Sequence, residues 1–430
     1  MSDGPSPAAS RRSLGDWLRH LESLHPKQIE MGLDRVRTVK DRLGLSPRFP
    51  VITVGGTNGK GSTCAMLGSI LNAAGYRVGV YTSPHLLAYN ERVRIAGVQA
   101  SDAMLCASFE AVDAARGGTS LTYFEFGTLS AMWLFMAQRV DVAVLEVGLG
   151  GRLDAVNVFD PDVAVVTSID IDHVDYLGPT REAIGFEKAG IYRSGRPAIC
   201  ADAQPPEALL KHAQSVGADV RLIGRDFGYV EQSGQWQFWS RDITRDALPY
   251  PALIGGYQLA NACAALAALA PLAPLLPVSQ ADVRRGLAAV SLPGRFQVLP
   301  GRPSVVLDVA HNPHAAQALA SNLARHPCAG RTLAVFAMLA DKDIAGVVHA
   351  LAGRVDHWFL AGLPGPRGAP AATLLQQLPV KGARADASVF EDVPAAYRAA
   401  CLAAGQNDRI LIFGSFYTVA AALAEIGPDN

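Results

Sequence analysis

The chain has 430 residues, 50% of them hydrophobic and 18% charged, with a formal net charge of −1. That length supports two or three domains, each with a substantial core, and the composition excludes a disordered chain. The near-neutral balance gives no reason to expect nucleic acid or an anionic membrane as partner, and no apolar run reaches the roughly 18–20 residues needed to span a bilayer. The opening segment, M-S-D-G-P-S-P-A-A-S-R-R, has no apolar stretch behind its charges and reads as a frayed tail rather than a signal peptide. Cys64, Cys106, Cys200, Cys263, Cys328 and Cys401 lie far apart and form no C-x-x-C, which predicts buried free thiols in a reducing cytoplasm.

Two helices are expected over 13–44, broken near His25-Pro26. Strand-like runs follow at 49–54, 77–81, 141–147 and 163–169, with helical stretches between them, including 124–138. This alternation predicts a mostly parallel sheet covered on both faces. A polar, aromatic patch over 221–245 reads as a small antiparallel excursion, and the Ala/Leu-rich run 259–272 as a buried helix. A second α/β series starts after S-L-P-G-R-F (291–296), with strands expected at 304–309, 331–336, 355–360 and 409–413. The Pro-Gly turn is the expected boundary, giving domains 1–296 and 297–430.

The stretch V-I-T-V-G-G-T-N-G-K-G-S-T (51–63) carries the strongest chemical signal. A β-branched run stops at two glycines, and a loop bearing Lys60 then opens a helix expected to reach about Ala74. Such a turn aims backbone N–H groups, a lysine and the positive end of a helix dipole at one point, which suits polyphosphate. Against the common P-loop pattern, Val54 stands where the first glycine belongs and Gly61 where a metal-binding Ser/Thr belongs. The metal-binding hydroxyl must then come from elsewhere. In open parallel sheets ligands collect beyond the C-terminal strand ends. Ser83, Glu146 and His173 fall there, together with Asp170 and Asp172, and place a hydroxyl, a carboxylate and an imidazole around the loop. They are the candidate ligands of a metal; Mg²⁺ prefers oxygen, so the imidazole admits Mn²⁺.

G-T-N-G-K-G-S-T, S-P-H-L, T-Y-F-E, L-E-V-G-L-G-G-R-L-D-A, D-H-V-D-Y-L-G, E-K-A-G-I, L-P-G-R-F and D-V-A-H-N-P-H-A occur in the order found in folylpolyglutamate synthases. The chain resembles that family, relatives of the Mur peptide ligases, from about Trp17 to Val419, with bifunctional dihydrofolate synthase/folylpolyglutamate synthases the nearest likeness. The resemblance implies an N-terminal P-loop, Mur-ligase-like domain with a mostly parallel sheet, and a smaller C-terminal Rossmann-like α/β domain. It implies an ATP-dependent amide ligase that adds L-glutamate to dihydropteroate and to reduced folates through an acyl phosphate, releasing ADP and phosphate. A monofunctional folylpolyglutamate synthase is the alternative. A Mur-type peptide ligase is disfavoured, because about 50 residues before the phosphate loop leave no room for a UDP-sugar domain.

By motif, the resemblance assigns ATP to Thr57, Asn58, Gly59, Lys60, Gly61, Ser62, Asn261, Arg295 and Asp308, and gives catalytic roles to Lys60, Lys188 and His311. Ser83, Glu146 and His173 match its Mg²⁺ ligands, and Lys188 matches a lysine carboxylated by CO₂ that ligates a second Mg²⁺. Ile29, Glu30, Met31, Gly32, Thr122, Tyr123, Phe124, Glu125, Leu153, Asp154 and Ala155 match segments that hold dihydropteroate. Phe124 is the expected stacking ring, and Asp154 or Glu30 the expected acceptor of the pterin N–H edge. Ser415, at a strand end entering a helix, is assigned to glutamate. A monovalent cation is a further candidate cofactor, and a cytoplasmic monomer is expected.

Overall fold

The structure is a computed structural model that describes residues 12–27, 29–379 and 386–427. The expected tail ahead of Arg12 lies outside them, except for Arg12 itself. An eight-stranded sheet comprises β1 (Val51–Gly55), β2 (Val78–Tyr81), β3 (Val93–Ile95), β4 (Val98–Gln99), β5 (Val142–Glu146), β6 (Val163–Val166), β7 (Pro197–Cys200) and β8 (Asp219–Leu222). Its order is β4-β3-β2-β5-β1-β6-β7-β8, parallel except for the β2–β3–β4 edge. Successive side chains alternate between faces, as strand geometry demands. Val51, Ala143, Leu145 and Ala164 enter one core, while Ile52, Val54, Val144 and Val165 enter the other.

The first core is closed by α1 (Leu14–Ser23), α2 (Asp34–Arg42), α4 (Asp102–Arg116) and α5 (Tyr123–Ala137), the second by α3 (Lys60–Ala73) and the helices Tyr257–Leu269 and Gln280–Ala289. α3 packs so tightly that a Cβ on Gly286 would meet the Ile70 backbone at 2.5 Å, so only glycine lets these helices cross there. The polar, aromatic patch is a three-stranded antiparallel sheet of β9 (Phe227–Gln232), β10 (Gln235–Ser240) and β11 (Thr244–Leu248). Its inward Trp236 and Phe238 are fully buried against the second core.

A second sheet contains β12 (Gln297–Leu299), β13 (Ser304–Asp308), β14 (Thr332–Phe336), β15 (His357–Ala361), β16 (Ala387–Phe390) and β17 (Arg409–Phe413). Its order is β12-β13-β17-β14-β15-β16, with only β12 antiparallel. The four expected C-terminal strands are all present, within two residues at each end; β12 and β16 are additional. Three of the cysteines, Cys64, Cys200 and Cys263, are buried as expected, whereas Cys401 is exposed. Among the described residues, no helix is long and apolar enough to cross a membrane.

Candidate active site

The C-terminal ends of β1, β2, β5 and β6 and the facing end of β13 border one cavity of about 650 Å³. The turn after β1 forms its floor. Gly59 caps α3 in a left-handed conformation, φ +91°, so the first-turn amides of the helix point into the cavity without partners from a preceding turn. Gly56 must lack a side chain, because a Cβ there would lie 1.8 Å from Thr167 Oγ1. Thr57 is pinned to the β6 end: its amide donates to Ser168 O (2.6 Å) and its hydroxyl to Asp170 O (3.0 Å). Lys60 Nζ curls back to donate to Gly56 O (3.0 Å) and Thr57 O (3.1 Å), holding the ammonium over the turn.

Glu146, at the end of β5, is buried beside Lys60, and burial raises its pKa against the pull of that ammonium. Its Oε2 accepts the Ser83 amide at 3.0 Å, so the Ser83 and Glu146 side chains are brought side by side. His173 adopts φ +51° and also lines the cavity; burial lowers its pKa to about 4, so the ring is neutral at pH 7. Among the described residues, no three His, Cys, Asp or Glu side chains are clustered as a metal cage. A hydroxyl, one carboxylate and a neutral imidazole, with Glu146 oxygens accepting only one protein hydrogen bond, fit a divalent cation whose remaining ligands come from phosphate or water.

Lys188 is buried and donates to Gly56 O at 2.8 Å. Burial, aided by the charge of Lys60, lowers its pKa to about 7, so a large fraction is free amine at neutral pH.

The second domain closes the cavity from the other side. Asp308 accepts the amides of Phe296 (2.9 Å) and Ala310 (2.8 Å); burial raises its pKa to about 6. Arg295 lies over the Phe416 ring, its Cζ 5.0 Å from the centroid. His311 also lines the cavity, and its Nε2 stands 3.8 Å from Asp172 Oδ2. Asn261, from the first domain, hydrogen-bonds Gln258 at 2.9 Å and abuts Gly59. Ser415 reaches the cavity, but its hydroxyl caps the helix Phe416–Ile426 by accepting the Thr418 amide (3.0 Å), a use the sequence reading did not include.

All residues expected to touch ATP or metal line this one cavity. The expected pteroyl residues behave differently: Ile29, Glu30, Met31, Gly32, Thr122, Tyr123, Phe124, Glu125, Leu153, Asp154 and Ala155 do not line it. They gather instead behind the loop Gly148–Gly151. A Cβ on Gly148 would strike Phe124 at 2.7 Å, and one on Gly150 would lie 3.5 Å from Met31 Cε. Gly32 donates to Leu153 O (3.3 Å), and Asp154 accepts the amides of Leu149 (2.8 Å) and Val156 (3.1 Å). Burial raises the Asp154 pKa to about 7. Glu125 forms a capping box with Thr122 and, with Glu30, shares Arg35 (3.0 and 3.5 Å), so both acids carry structural duties. Among the cations that line the cavity, Arg92, Lys342 and Arg367 escape the sequence reading, and Lys342 pairs with Asp172 across the domains. No local motif marks any of them.

Residues 54–269 match the Mur ligase middle domain and 294–416 the Mur ligase glutamate ligase domain. Dihydrofolate synthase/folylpolyglutamate synthase from Escherichia coli is 49% identical over 414 residues, 96% of this chain and 95% of that protein. The chain belongs to the dihydrofolate synthase/folylpolyglutamate synthase family. Two solved structures of the family agree in fold. Escherichia coli FolC in complex with DHPP and ADP has a TM-score of 0.92 at 48% identity, covering 98% of this chain and 99% of that one. A bifunctional folylpolyglutamate synthase/dihydrofolate synthase with Mn, AMPPNP and L-glutamate bound gives 0.90 at 46%, covering 98% and 100%. The two-domain α/β architecture seen here is thus that of the Mur-ligase relatives expected from the motifs.

Proposed function

We propose that this member of the family is a bifunctional ATP-dependent ligase, joining L-glutamate first to dihydropteroate and then to reduced folates. The observation that carries the reading is the single cavity in which a phosphate loop, a Ser/Glu/His donor set, Arg295 at the domain junction and two groups of the second domain, Asp308 and His311, converge. The pteroyl carboxylate attacks the γ-phosphorus of ATP, forming a C–O–P bond as the bond to ADP breaks. The glutamate amine then attacks the acyl carbon, and phosphate leaves. Lys60 and the first-turn amides, with Thr57, Asn58, Gly59, Gly61 and Ser62, hold the phosphates in line and neutralise charge on the transferred group. Asn261, Arg295 and Asp308 are assigned to the nucleotide, with Arg295 and Asp308 at the domain junction near residue 296.

Ser83, Glu146 and His173 are assigned to Mg²⁺, which, when bound, spreads the charge of the phosphates; Mn²⁺ fits the same donors. Lys188 is assigned as the carboxylated lysine of a second cation site, since only a free amine adds CO₂ and burial supplies one at neutral pH. The pteroyl ring is assigned to the group behind the Gly148–Gly151 loop, where Tyr123 and Phe124 offer ring faces and Asp154, although it serves the amides of Leu149, Val156 and Gly148, offers a carboxylate. Since these residues do not line the cavity in this conformation, the reading requires that loop to yield to the ligand. Nucleotide held between the domains explains why its contacts are divided: closure expels water and completes the site. A reducing, ATP-supplied cytoplasm suits this chemistry and the free thiols.

The test uses purified protein with ATP, Mg²⁺ and glutamate, following ADP with dihydropteroate or tetrahydrofolate as the only variable. ADP release with both substrates is expected. Release with tetrahydrofolate alone reduces the activity to polyglutamylation, and release indifferent to glutamate removes the ligase reading.

A further inference from the structure

Arg92 is a cation in the wall of the cavity that, among the described residues, forms no ion pair, although its charge reaches Glu146. It closes the turn before β3, and its carbonyl accepts the Thr82 amide at 2.9 Å, which fixes it beside Ser83 at the end of β2. Among the described residues no carboxylate lies within ion-pairing distance of its guanidinium. The adjacent Glu91 is committed elsewhere, its two oxygens accepting the amides of Leu86, Leu87 and Ala88 at 2.7–2.8 Å. The Arg92 side chain is nevertheless held firmly. Nε donates to His85 Nδ1 at 2.8 Å, and Cζ lies 5.4 Å from the Tyr89 ring centroid and 5.3 Å from that of Tyr123. Two rings and an imidazole therefore fix the guanidinium plane through Nε, leaving the Nη edge as the part that can meet a ligand. A half-buried guanidinium without an acid is costly unless a ligand supplies one, and a planar fork matches a carboxylate in two hydrogen bonds.

Its position identifies the anion. Arg92 lies between two groups: on one side Ser83 and Glu146, whose ionisation it favours, and on the other Tyr123, at the first turn of α5. Under the reading given above, those groups face the reacting phosphate and the pteroyl ring respectively. We propose that Arg92 receives the acceptor carboxylate of the pteroyl substrate, the group that becomes the acyl phosphate. The guanidinium offsets the repulsion between this carboxylate and the phosphates of ATP, and its fixed plane presents one oxygen in line for attack.

This assignment rests on the pteroyl reading, and the experiment separates the two. Equilibrium binding is measured with a non-hydrolysable ATP analogue present, for dihydropteroate, its carboxamide analogue and tetrahydrofolate, on wild type, Arg92→Gln and Arg92→Lys. Loss of a charge-assisted pair predicts about 10- to 100-fold weaker binding of both acids to Arg92→Gln. The carboxamide and the nucleotide should bind all three proteins within about twofold, and Arg92→Lys should regain part of the loss, a pattern that misfolding would not produce. Equal weakening of acid and carboxamide would overturn the assignment in favour of ring packing. A loss confined to tetrahydrofolate would overturn it by moving Arg92 to the second, spectator carboxylate, and a loss confined to nucleotide by moving it to phosphate. If wild type binds no pteroyl compound, the underlying reading fails first and the assignment with it.

Discussion

Gly59→Ala probes the phosphate loop at the point where geometry leaves least freedom. The residue stands at φ +91°, ψ −13°, where an L side chain costs about 1–2 kcal/mol. Its Cβ would also lie 2.4 Å from Asn261 Oδ1, so the amide must retreat by about 1 Å to reach ordinary contact. That movement disturbs the buried Asn261–Gln258 hydrogen bond, worth about 1 kcal/mol. The sum is a stability loss of about 2–3 kcal/mol in denaturant unfolding. Turnover should suffer more, since displacing the phosphate cradle by about 1 Å costs on the order of 10²-fold in rate. The double variant Gly59→Ala/Asn261→Ala removes the clash but keeps the backbone strain. It should therefore be less destabilised than the two single changes added together, by about 1 kcal/mol. Wild-type stability and ADP release within about twofold for Gly59→Ala would refute the argument, because neither the strain nor the collision could then exist.

Lys60→Ala should lower kcat by at least about 10²-fold while leaving the fold intact by circular dichroism; near-normal turnover removes the phosphate-loop assignment. Lys342→Ala removes the lysine from Asp172, which keeps His311 and Asn312 nearby, and should weaken the closed arrangement of the domains by about 1–3 kcal/mol, read as a raised KM for ATP. An unchanged KM would show that closure does not depend on that pair. Ser415→Ala should cost about 1 kcal/mol in stability through the lost cap, and a raised KM for glutamate would give the hydroxyl a second duty, whereas an unchanged KM confines it to the cap. Burial pushes the Asp226 carboxyl up, but Arg225, the Leu222 amide and Arg241 outweigh burial and hold its pKa below the usual carboxylate range. A lowered native pKa stabilises above the unfolded value and loses that contribution as pH falls through the native one. Asp226→Asn should therefore cost about 1–2 kcal/mol at pH 7, discounted because both arginines are largely exposed, and the gap from wild type should close in acid; a gap unchanged at low pH would assign it to packing.

Much of the site was legible because a parallel sheet sends its ligands to one edge. Knowing only where apolar runs ended, one could pick Lys60, Ser83, Glu146 and His173 from separate motifs, and they do share a cavity. The failed glycine and Ser/Thr positions of the P-loop are equally informative, since a loop without its own hydroxyl leaves that group to a neighbouring strand end, where Ser83 stands. The β3–β4 hairpin escaped because strands of three and two residues carry too little alternation, although Ala96 (φ +51°) and Gly97 (φ +81°) form its turn. Arg92, which the hairpin positions, was hidden with it. Asp172 and Lys342 lie 170 residues apart, and nothing local in A-D-K-D announces a partner across the cleft.

The same distinction separates the two kinds of polar group in and behind this cleft. Asp154, Glu125 and Ser415 each serve a backbone amide that the fold would otherwise leave unpaired, Glu125 Oε2 accepting that of Thr122, so their residue types follow from local structure whether or not a ligand also uses them. Among the described residues, Glu146 accepts a single amide and is buried beside a lysine, and Arg92 forms no ion pair. Folding alone gives no reason to hold a carboxylate and a guanidinium in a cavity with so little of their capacity used. Under the proposed reading, what completes them arrives from solution with opposite charges, a cation for Glu146 and an anion for Arg92. A metal–nucleotide and a carboxylic acid bound side by side satisfy both demands at once.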